Sequence, residues 1–595
     1  MEDLYRCPPM VRIRFGSSAE LVYLPLSHSA VVANKADVHA ATFCGSFKLL
    51  GEHLSQLSQG LDATDVPLPD LAALAQRGLL LSRRELFGHI DAFQAEAPRQ
   101  LDWFAIPTRS RPAELERAVR SYASNFARFG RRPKILIADD SPLVDQAGTA
   151  RAAKAGLQSA GSGLTCWYAG HSEKRRLVDL LTEGGDIPRG VVEFGLCPSG
   201  DLPKMGANRN AIQMYTAGQM VLAADDDTIC QPCFAPGGSD MDCLRLGSEI
   251  DPTEFWFFPD HEAAVAAARF SDFDIASRHE KLLGRPVCSV LCDAAPGSGL
   301  DLGPVCNHLL SSLWSGQGRI AVTTSGSVGD SGMHSTRGLR FHEGRGTRQR
   351  LTASESDYRM AMRSRPVIRQ APCTTICHGS PFCTMFVGFD NRQLLPPFLP
   401  VCRNEDGVFA CVLGGCLPDG YFGYLPWSLV HAPPGCREYD LGIETRISEL
   451  INVCISRWNP PNTTRAEKRL QSLGRHLVEL GSAPRDEFRE MALFACWGLA
   501  SFRVAKAEAL LNGFAYSPSY WAEDVVNEIQ DITAAATKPD FALPSDLPGG
   551  DGPEDLLARA QGVVRQYGEL LCWWPAMVER AAELSANDRL PVSRI

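Results

Sequence analysis

The stretch that decides the fold runs from residue 103 to residue 140 and reads WFAIPTRSRPAELERAVRSYASNFARFGRRPKILIADD. It opens with a short apolar run that stops at Pro107, and apolar side chains then recur at helical spacing between residues 115 and 129. A second apolar run, at residues 135–138, ends directly in Asp139 and Asp140. Because neither run alternates apolar with polar residues, both strands should be buried on two faces, as in a parallel sheet. The stretch therefore predicts a strand, a helix and a parallel strand, the unit from which α/β folds are built.

A third buried strand further along the chain also ends in acids. Residues 206–211 (GANRNA) open a predicted helix, and residues 220–224 (MVLAA) form a strand that runs into Asp225, Asp226 and Asp227. In open parallel sheets ligands bind at the carboxyl ends of the strands, so these acids predict a polar ligand site. Carboxylate oxygens suit Mg²⁺ or Mn²⁺, and the turn could aim Asp225 and Asp227 at one ion. The alternative is an acidic loop that is merely solvated.

The flanking regions differ in character from this core. Residues 1–95 show alternating stretches at 11–15 and 21–26 and helical patterning after them, which predicts a small α+β winged-helix-like domain. Residues 100–440 would hold the α/β core, with an irregular insertion at about 236–400 that is rich in Gly, Ser, Pro and Cys. Residues 441–595 are predicted to be α-helical, because apolar residues there recur at helical spacing.

Composition excludes several classes of protein. The chain has 595 residues and a formal net charge of −10, with 59 Lys and Arg against 69 Asp and Glu, which argues against a broad nucleic-acid surface. It has no run of 18 uncharged apolar residues, and its first ten residues, MEDLYRCPPM, lack the features of a signal peptide. We therefore expect no membrane span and a cytoplasmic location, in which the 20 cysteines stay reduced.

The order of the motifs resembles that of the GT-A glycosyltransferases of the broad family-2 type. The segments that carry this resemblance are IPTRSRP, IADDS, GANRNA and AADDDT, all between residues 100 and 235. The resemblance implies a Rossmann-type core that binds a nucleotide-sugar, with Asp225 and Asp227 as the metal and diphosphate residues. It also implies that the nucleotide part of the donor is bound by Pro107, Thr108, Arg109, Asp140, Arg209 and Asp226.

The same family leads us to expect a general base and a late histidine. Residues 403–409 (RNEDGVF) resemble its base motif, with Asp406 as the first candidate and Glu405 as the second. His431, in the segment LVHAP, is reminiscent of the histidine that completes the metal shell in many such enzymes. The alternatives are a solvated Asn-Glu-Asp-Gly turn and a histidine that binds no metal. The separation of Asp227 from Asp406 is longer than the family pattern, so an insertion must be accommodated.

Residues 1–95 resemble the PqqD-like domains that bind precursor peptides in the biosynthesis of modified peptides. Together the two resemblances imply a metal-dependent, inverting glycosyltransferase of the hexosyltransferase type. It would move a sugar from a nucleotide-sugar, such as a UDP-sugar, to an acceptor such as a peptide Ser, Thr or Cys side chain. One alternative is a non-catalytic, transferase-like scaffold that binds precursor peptide. An unrelated helical domain or a DNA-binding winged helix remain alternatives for the N-terminal unit.

A basic segment lies between the core motifs. It contains five arginines with only Glu343 opposing them: Arg337, Arg340, Arg345, Arg348 and Arg350. Interspersed with glycines, it is interpreted either as a mobile loop that closes over a diphosphate or as a solvated surface loop.

Overall fold

The computed structural model describes residues 3–15, 18–60, 69–200, 202–238, 243–247, 251–294, 300–303, 305–378, 383–435, 437–439, 442, 445–513, 518–547 and 552–595. Within these ranges the chain is a mixture of helices and strands arranged around one large mixed sheet. The α/β fold class predicted from the sequence is confirmed at this level.

The N-terminal part combines an antiparallel three-stranded sheet, β2-β3-β4, with short helices. Its elements are β1 (Tyr5–Arg6), β2 (Val11–Phe15), β3 (Ala19–Leu24), β4 (Ser29–Asn34), α1 (Lys35–Phe43), α2 (Leu50–Gly60), α3 (Leu71–Gln76), β5 (Leu81–Ser82) and α4 (Arg83–Ile90). Side chains that accept from main-chain N–H groups start three of the helices: Asn34 caps α1, Asp70 caps α3 and Ser82 caps α4. The sequence pattern missed β4, because most of that strand is exposed and its residues do not alternate.

The half of the sheet that contains the three strands predicted from the sequence is parallel, and it includes a fourth strand, β8, that was not predicted. Its elements are β6 (Trp103–Thr108), α5 (Pro112–Arg128), β7 (Lys134–Asp139), α6 (Leu143–Ala160), β8 (Cys166–Ala169), α7 (His171–Leu181), α8 (Arg189–Leu196), α9 (Met205–Tyr215) and β9 (Met220–Ala224). Trp103 and Ala105 of β6 belong to one buried cluster, and Phe104 and Ile106 belong to another on the opposite face. Burial on both faces explains why the apolar runs do not alternate.

The sheet continues through the region predicted to be irregular, and that prediction is wrong. The elements after β9 are β10 (Thr228–Phe234), β11 (Leu244–Leu246), β12 (Glu254–Phe257), α10 (His261–Ala267), β13 (Arg269–Phe270), α11 (Ile275–Glu280), α12 (Val287–Asp293), β14 (Leu300–Asp301), α13 (Asn307–Ser315), β15 (Arg319–Asp330), a 3₁₀ helix (Arg337–Phe341), α14 (Arg345–Leu351), α15 (Glu355–Ala361), β16 (Pro366–Gln370), β17 (Thr374–Cys377), β18 (Phe386–Asp390), α16 (Glu405–Cys416) and β19 (Gly420–His431). Strand β18 lies between β9 and β15 in the sheet. Strand β15 is rich in Gly, Ser and Thr, and both β15 and β18 are largely buried, so neither strand gives an alternating signal.

The last part of the chain is helical, as expected. Its elements are α17 (Ile447–Ser456), α18 (Ala466–Ser482), α19 (Arg485–Gly513), α20 (Ser519–Ala536), α21 (Pro553–Ala586) and β20 (Ser593–Arg594). Helices α18 and α21 pack so closely that a Cβ at Gly568 would lie 2.7 Å from the carbonyl oxygen of Gly474. In α21, Tyr567 and Trp574 donate to main-chain carbonyls of Pro397 and Leu395, and β20 pairs with β8. Within the described ranges, no helix is both long and apolar enough to cross a bilayer.

Four of the five arginines of the basic segment contact other parts of the fold, which corrects the interpretation of a mobile or solvated loop; Arg348 donates to the carbonyl oxygen of His342, and Arg345 is exposed. Arg337 and Arg340 both form ion pairs with Glu528 of α20, and Arg350 pairs with Glu254 of β12 at 2.8 Å. These partners lie far away in sequence, so local composition gives no sign of them.

The chain changes direction within the sheet at β6. After β6 it adds β7 and β8 on one side, and it then returns to place β9 on the other side, giving the order β8-β7-β6-β9. Ala105 of β6 stands opposite Ala223 of β9 in the parallel register. Continuing this register brings Thr108 beside Asp226 at the carboxyl edge, the position at which open α/β sheets bind ligands.

Candidate active site

Asp226 links β6 and β9 at the switch point of the sheet, which is the carboxyl edge where the strand order changes direction. Its Oδ2 accepts a hydrogen bond from Thr108 Oγ1 at 2.7 Å, and its Oδ1 accepts from Arg111 Nη1 at 3.1 Å. Burial and the charge of Asp227 raise the pKa of Asp226 to about 7, although Arg111 and Thr108 oppose this. Both carboxylate oxygens are therefore engaged with the protein, and Asp226 links β6 to β9.

Asp227 points towards the end of β19. Strands β10 and β19 are antiparallel with Thr228 opposite His431, which brings His431 Nε2 to 3.4 Å from Asp227 Oδ1. Arg111 Nη1 lies 2.9 Å from Asp227 Oδ2, and Arg437 Nη2 lies 3.7 Å from the same oxygen. Burial alone would raise the pKa of Asp227, but His431, Arg111 and Arg437 hold it below its ordinary value.

The orientation of His431 is fixed by a hydrogen bond at Nδ1, the ring nitrogen that does not face Asp227. Its Nδ1 lies 2.7 Å from the carbonyl oxygen of Asp330. A carbonyl can only accept, so Nδ1 carries the hydrogen and Nε2 faces Asp227. Histidines that bind metals commonly make this second hydrogen bond. Burial would lower the pKa of His431, but its hydrogen bond with Asp227 and the charge of that carboxylate raise it overall.

Asp225 faces a different partner from Asp227. Its Oδ1 lies 2.8 Å from Arg209 Nη2, and Arg209 Nε lies 3.4 Å from Glu405 Oε1. Arg209 is buried and also donates to the carbonyl oxygen of Thr384 at 3.4 Å. Arg209, which the resemblance places beside the nucleotide, bridges Asp225 and Glu405.

Glu405 and Asp406 lie in the first turn of α16, next to this bridge. Burial and the charge of Asp406 raise the pKa of Glu405, although Arg209 opposes them. Burial also raises the pKa of Asp406, against the opposing charge of Arg209. Asp406 is half-buried and accepts a hydrogen bond from the N–H of Gly407 at 2.9 Å. A carboxylate with a raised pKa is a better proton acceptor, so the site contains two candidate bases.

Asp140 lies at the end of the neighbouring strand, β7. Its carboxylate is 4.0 Å from Arg109 Nη1, 3.7 Å from His171 Nε2 and 3.9 Å from Lys174 Nζ. Burial would raise the pKa of Asp140, but His171, Lys174 and Lys204 lower it overall. Asp140 is thus a stable carboxylate, and Pro107, the other predicted residue on this side, is a half-buried residue of β6.

Two residues that sequence reasoning missed hold the ends of β6 and β7 together. Lys174 is fully buried, and its Nζ donates to Asn208 Oδ1 at 2.7 Å and to the carbonyl oxygen of Asp139 at 3.0 Å. Asn208 Nδ2 in turn donates to the carbonyl oxygens of Ala138 at 2.8 Å and Thr108 at 3.5 Å. Asn208 lies within the GANRNA motif and could have been singled out, whereas Lys174 lies in a charged run that gives no signal.

Arg111 was also missed, although it belongs to the quoted IPTRSRP segment. It follows β6 directly and contacts both Asp226 and Asp227. Burial lowers the pKa of Arg111, but the charges of the two aspartates raise it overall. The guanidinium is therefore the positive group that lets two adjacent carboxylates coexist at the switch point.

The described side chains at this edge include metal-binding types but no complete set of metal ligands. No group of three or more His, Cys, Asp or Glu side chains within the described ranges is arranged to hold a metal ion. Asp227 and His431 do form a pair of suitable donors, whereas Asp225 is bound to Arg209. Nucleotide-binding Mg²⁺ is often held by one or two carboxylates together with phosphate oxygens and water. Such a cation would need only Asp227 and His431 from the protein.

Comparison with known proteins adds no family assignment. Neither a scan against protein-family models nor a search of the curated proteins finds a match to this chain.

Proposed function

We propose that this protein is a glycosyltransferase that moves a sugar from a nucleotide-sugar, most simply a UDP-sugar, to an acceptor. The observation that carries the proposal is the convergence of four distant segments at the switch point of the sheet. Thr108, Asp225 to Asp227, Glu405 with Asp406, and His431 come from different parts of the chain and lie together at one edge. The strand order β8-β7-β6-β9, followed by antiparallel β18, supports a GT-A-like core.

Each group in the site has a role in this reaction. Asp140 would bind the nucleoside, and Asp227 with His431 would hold Mn²⁺ or Mg²⁺ beside the diphosphate. A bound divalent cation would neutralise charge on the departing diphosphate. Asp406, the more accessible of the two candidate bases, would take the proton from the acceptor hydroxyl or thiol. The acceptor atom then bonds to the anomeric carbon as the bond from that carbon to the phosphate oxygen breaks, which inverts the configuration.

The N-terminal unit supports a peptide acceptor. Val11, Ile13, Tyr23 and Val32 are exposed, and the register of β2, β3 and β4 places them on one face of the small sheet. Exposed apolar patches of this kind commonly mark interaction sites. We therefore propose that the acceptor is a peptide carrying Ser, Thr or Cys. The described cysteines are free thiols, which supports our proposal of a cytoplasmic location.

The test is to incubate the full chain with a panel of UDP- and GDP-sugars and Mn²⁺. Sugar transfer is measured as the release of the nucleoside diphosphate. We expect Asp227→Asn to lose Mn²⁺-dependent nucleotide binding, and Asp406→Asn to keep that binding but lose turnover by about 100-fold or more. Asp486→Asn, an exposed aspartate of α19, is the matched control and should behave as wild type.

Two results would count against the proposal. Full turnover by Asp227→Asn would remove the cation from the reaction. A wild-type chain that binds candidate peptides but no nucleotide with Mn²⁺ would favour the non-catalytic scaffold instead.

A further inference from the structure

Two cysteines stand opposite each other on the neighbouring strands β11 and β17. These strands are parallel, and their first paired residues are Leu244 and Thr374. Cys243 and Cys373 come directly before this pair, so the same register places them side by side. Both are free thiols, and a side-chain hydrogen bond joins them. The fold thus brings together two thiols that lie more than a hundred residues apart in sequence.

The register also sets the distance between the two cysteines. Neighbouring strands lie about 4.8 Å apart, and residues opposite each other in a parallel pair point to the same face of the sheet. A disulfide bond needs Cα atoms about 4.4–6.8 Å apart and side chains that point towards each other. The register satisfies the first condition, and the hydrogen bond between the thiols satisfies the second. The two sulfur atoms can therefore bond without a large movement of the backbone.

Contacts on both sides hold β11 in this register. The N–H of Gly247 donates to the carbonyl oxygen of Ile376 at 2.7 Å, and a Cβ at Gly247 would lie 3.1 Å from the Cβ of Cys377. On the other side of β11, Arg245 forms an ion pair with Asp301 of β14 at 2.8 Å. The side-by-side placement of the two thiols is therefore built into the sheet.

The two thiols differ in their access to solvent. Cys243 is half-buried, whereas Cys373 is only 7% exposed. Burial and the neighbouring Cys243 raise the pKa of Cys373 to about 12, while Arg245 opposes them. Cys243 is therefore the sulfur that an oxidant in solution reaches first. Once Cys243 is bonded to the oxidant, its contribution to the raised pKa of Cys373 ends, and Cys373 is left beside it to react second.

We propose that Cys243 and Cys373 are a reversible modification site, which forms a disulfide bond when the protein meets a low-molecular-weight disulfide such as oxidised glutathione. The sulfur of Cys243 attacks one sulfur of the oxidant, the S–S bond of the oxidant breaks, and one thiol leaves with the proton of Cys243. The sulfur of Cys373 then attacks the sulfur of Cys243, and the second thiol leaves with the proton of Cys373. Two electrons pass from the protein to the oxidant, so one disulfide forms as another is reduced to two thiols.

The experiment is incubation of the reduced full chain in glutathione buffers of increasing oxidised fraction, followed by alkylation of the remaining thiols and peptide mapping by mass spectrometry. We expect a cross-linked pair of peptides, one containing Cys243 and one containing Cys373, that disappears after treatment with dithiothreitol. Cys373→Ala should abolish this pair and leave glutathione on Cys243, because the second thiol is missing. Cys292→Ser, which removes an exposed cysteine, is the matched control and should keep the cross-link.

A second measurement reports the cross-link through the stability of the fold. A disulfide between residues so distant in sequence restricts the unfolded chain, so the urea midpoint of oxidised wild type should lie above that of reduced wild type. Cys243→Ser should show the same midpoint in both buffers. This comparison is made within each protein, so a change in stability caused by the substitution itself does not affect it.

Two results would overturn the proposal. One is glutathione on Cys292 without any link between Cys243 and Cys373, because the oxidant has then reached the protein and the pair has not reacted. The other is glutathione that stays on Cys243 in wild type, because Cys373 then fails to displace it. Neither measurement uses a nucleotide or a sugar, so a chain that transfers no sugar would leave the disulfide site standing, and a failed disulfide would leave the proposed function untouched.

Discussion

Replacing Asp226 by asparagine should change how the stability of the protein depends on pH. In the folded protein, burial and the charge of Asp227 raise the pKa of Asp226 from its ordinary value of 3.8 to about 7. The folded state therefore binds this proton more tightly than the unfolded chain does. The resulting stabilisation is fully present below about pH 4 and is lost as the pH rises through 7.

The size of the effect follows from the pKa. Between pH 5 and the pKa of about 7, the folded protein keeps the Asp226 proton that the unfolded chain has already lost. The free energy of unfolding of wild type therefore falls by about 1.36 kcal/mol per pH unit over these two units, or about 3 kcal/mol by pH 8. The asparagine of Asp226→Asn cannot titrate, so the variant should not lose this stabilisation as the pH rises. The side-chain carbonyl of the asparagine can still accept a hydrogen bond from Thr108 Oγ1. The unfolding free energy of wild type relative to Asp226→Asn should therefore fall by about 3 kcal/mol over this range.

The assay is urea unfolding of both proteins, followed by tryptophan fluorescence at pH 5, 6, 7 and 8. Groups that titrate alike in both proteins cancel in the difference. Asp486→Asn, which removes an exposed carboxylate, should run parallel to wild type. Parallel profiles for wild type and Asp226→Asn would refute the reasoning, because they would mean that the carboxyl group of Asp226 titrates normally.

Two further substitutions test contacts that position the site. Gly206→Ala should lower the unfolding midpoint and weaken nucleotide binding. A Cβ at this position would lie 1.8 Å from the carbonyl oxygen of Leu399, so the start of α9 would have to move. The cost of such overpacking is about 1–3 kcal/mol or more. Glu528→Gln should destabilise by about 3–5 kcal/mol, because it removes the charge of the buried carboxylate that pairs with two arginines of the 3₁₀ helix Arg337–Phe341. Hydrogen exchange should then rise in that helix and in α20.

Matched controls exist for both changes. Gly498 lies within α19 with nothing within 4 Å of its Cβ position, so Gly498→Ala should be neutral or stabilising. Glu508 is exposed on the same helix, and Glu508→Gln should leave hydrogen exchange unchanged. Wild-type behaviour of Gly206→Ala would contradict the close approach of α9 to residue 399. Unchanged exchange in Glu528→Gln would contradict the role of the ion pairs in holding α20.

The parallel half of the sheet could be predicted from the sequence because its signal is local. Strands β6, β7 and β9 are continuous apolar runs, and each ends in polar or acidic residues that lie at one edge of the sheet. The neighbouring positions of Thr108 and Asp226 then follow from parallel register alone. These strands could be predicted because the signal for each lies within one short stretch of sequence.

The other half could not be predicted because its placement is non-local. His431 meets Asp227 only because β19 pairs with β10, with an irregular register between Ile229 and Cys233. Periodicity does not encode such a register, so His431 was suggested by resemblance alone. The arginines of the basic segment were misinterpreted for the same reason, since Glu528, which binds two of them, follows nearly two hundred residues later.

The three aspartates after β9 differ in the residues that they contact. The turn after β9 gives the three carboxylates different sets of partners, although Asp226 and Asp227 share Arg111. Asp225 meets Arg209, Asp226 meets Thr108 and Arg111, and Asp227 meets His431 with the same Arg111. Three adjacent anions are stable at a buried strand end only because their charges are separated and matched in this way. Of the three, Asp227 alone forms an ion pair with a histidine, so the proposed cation site depends on Asp227 and His431.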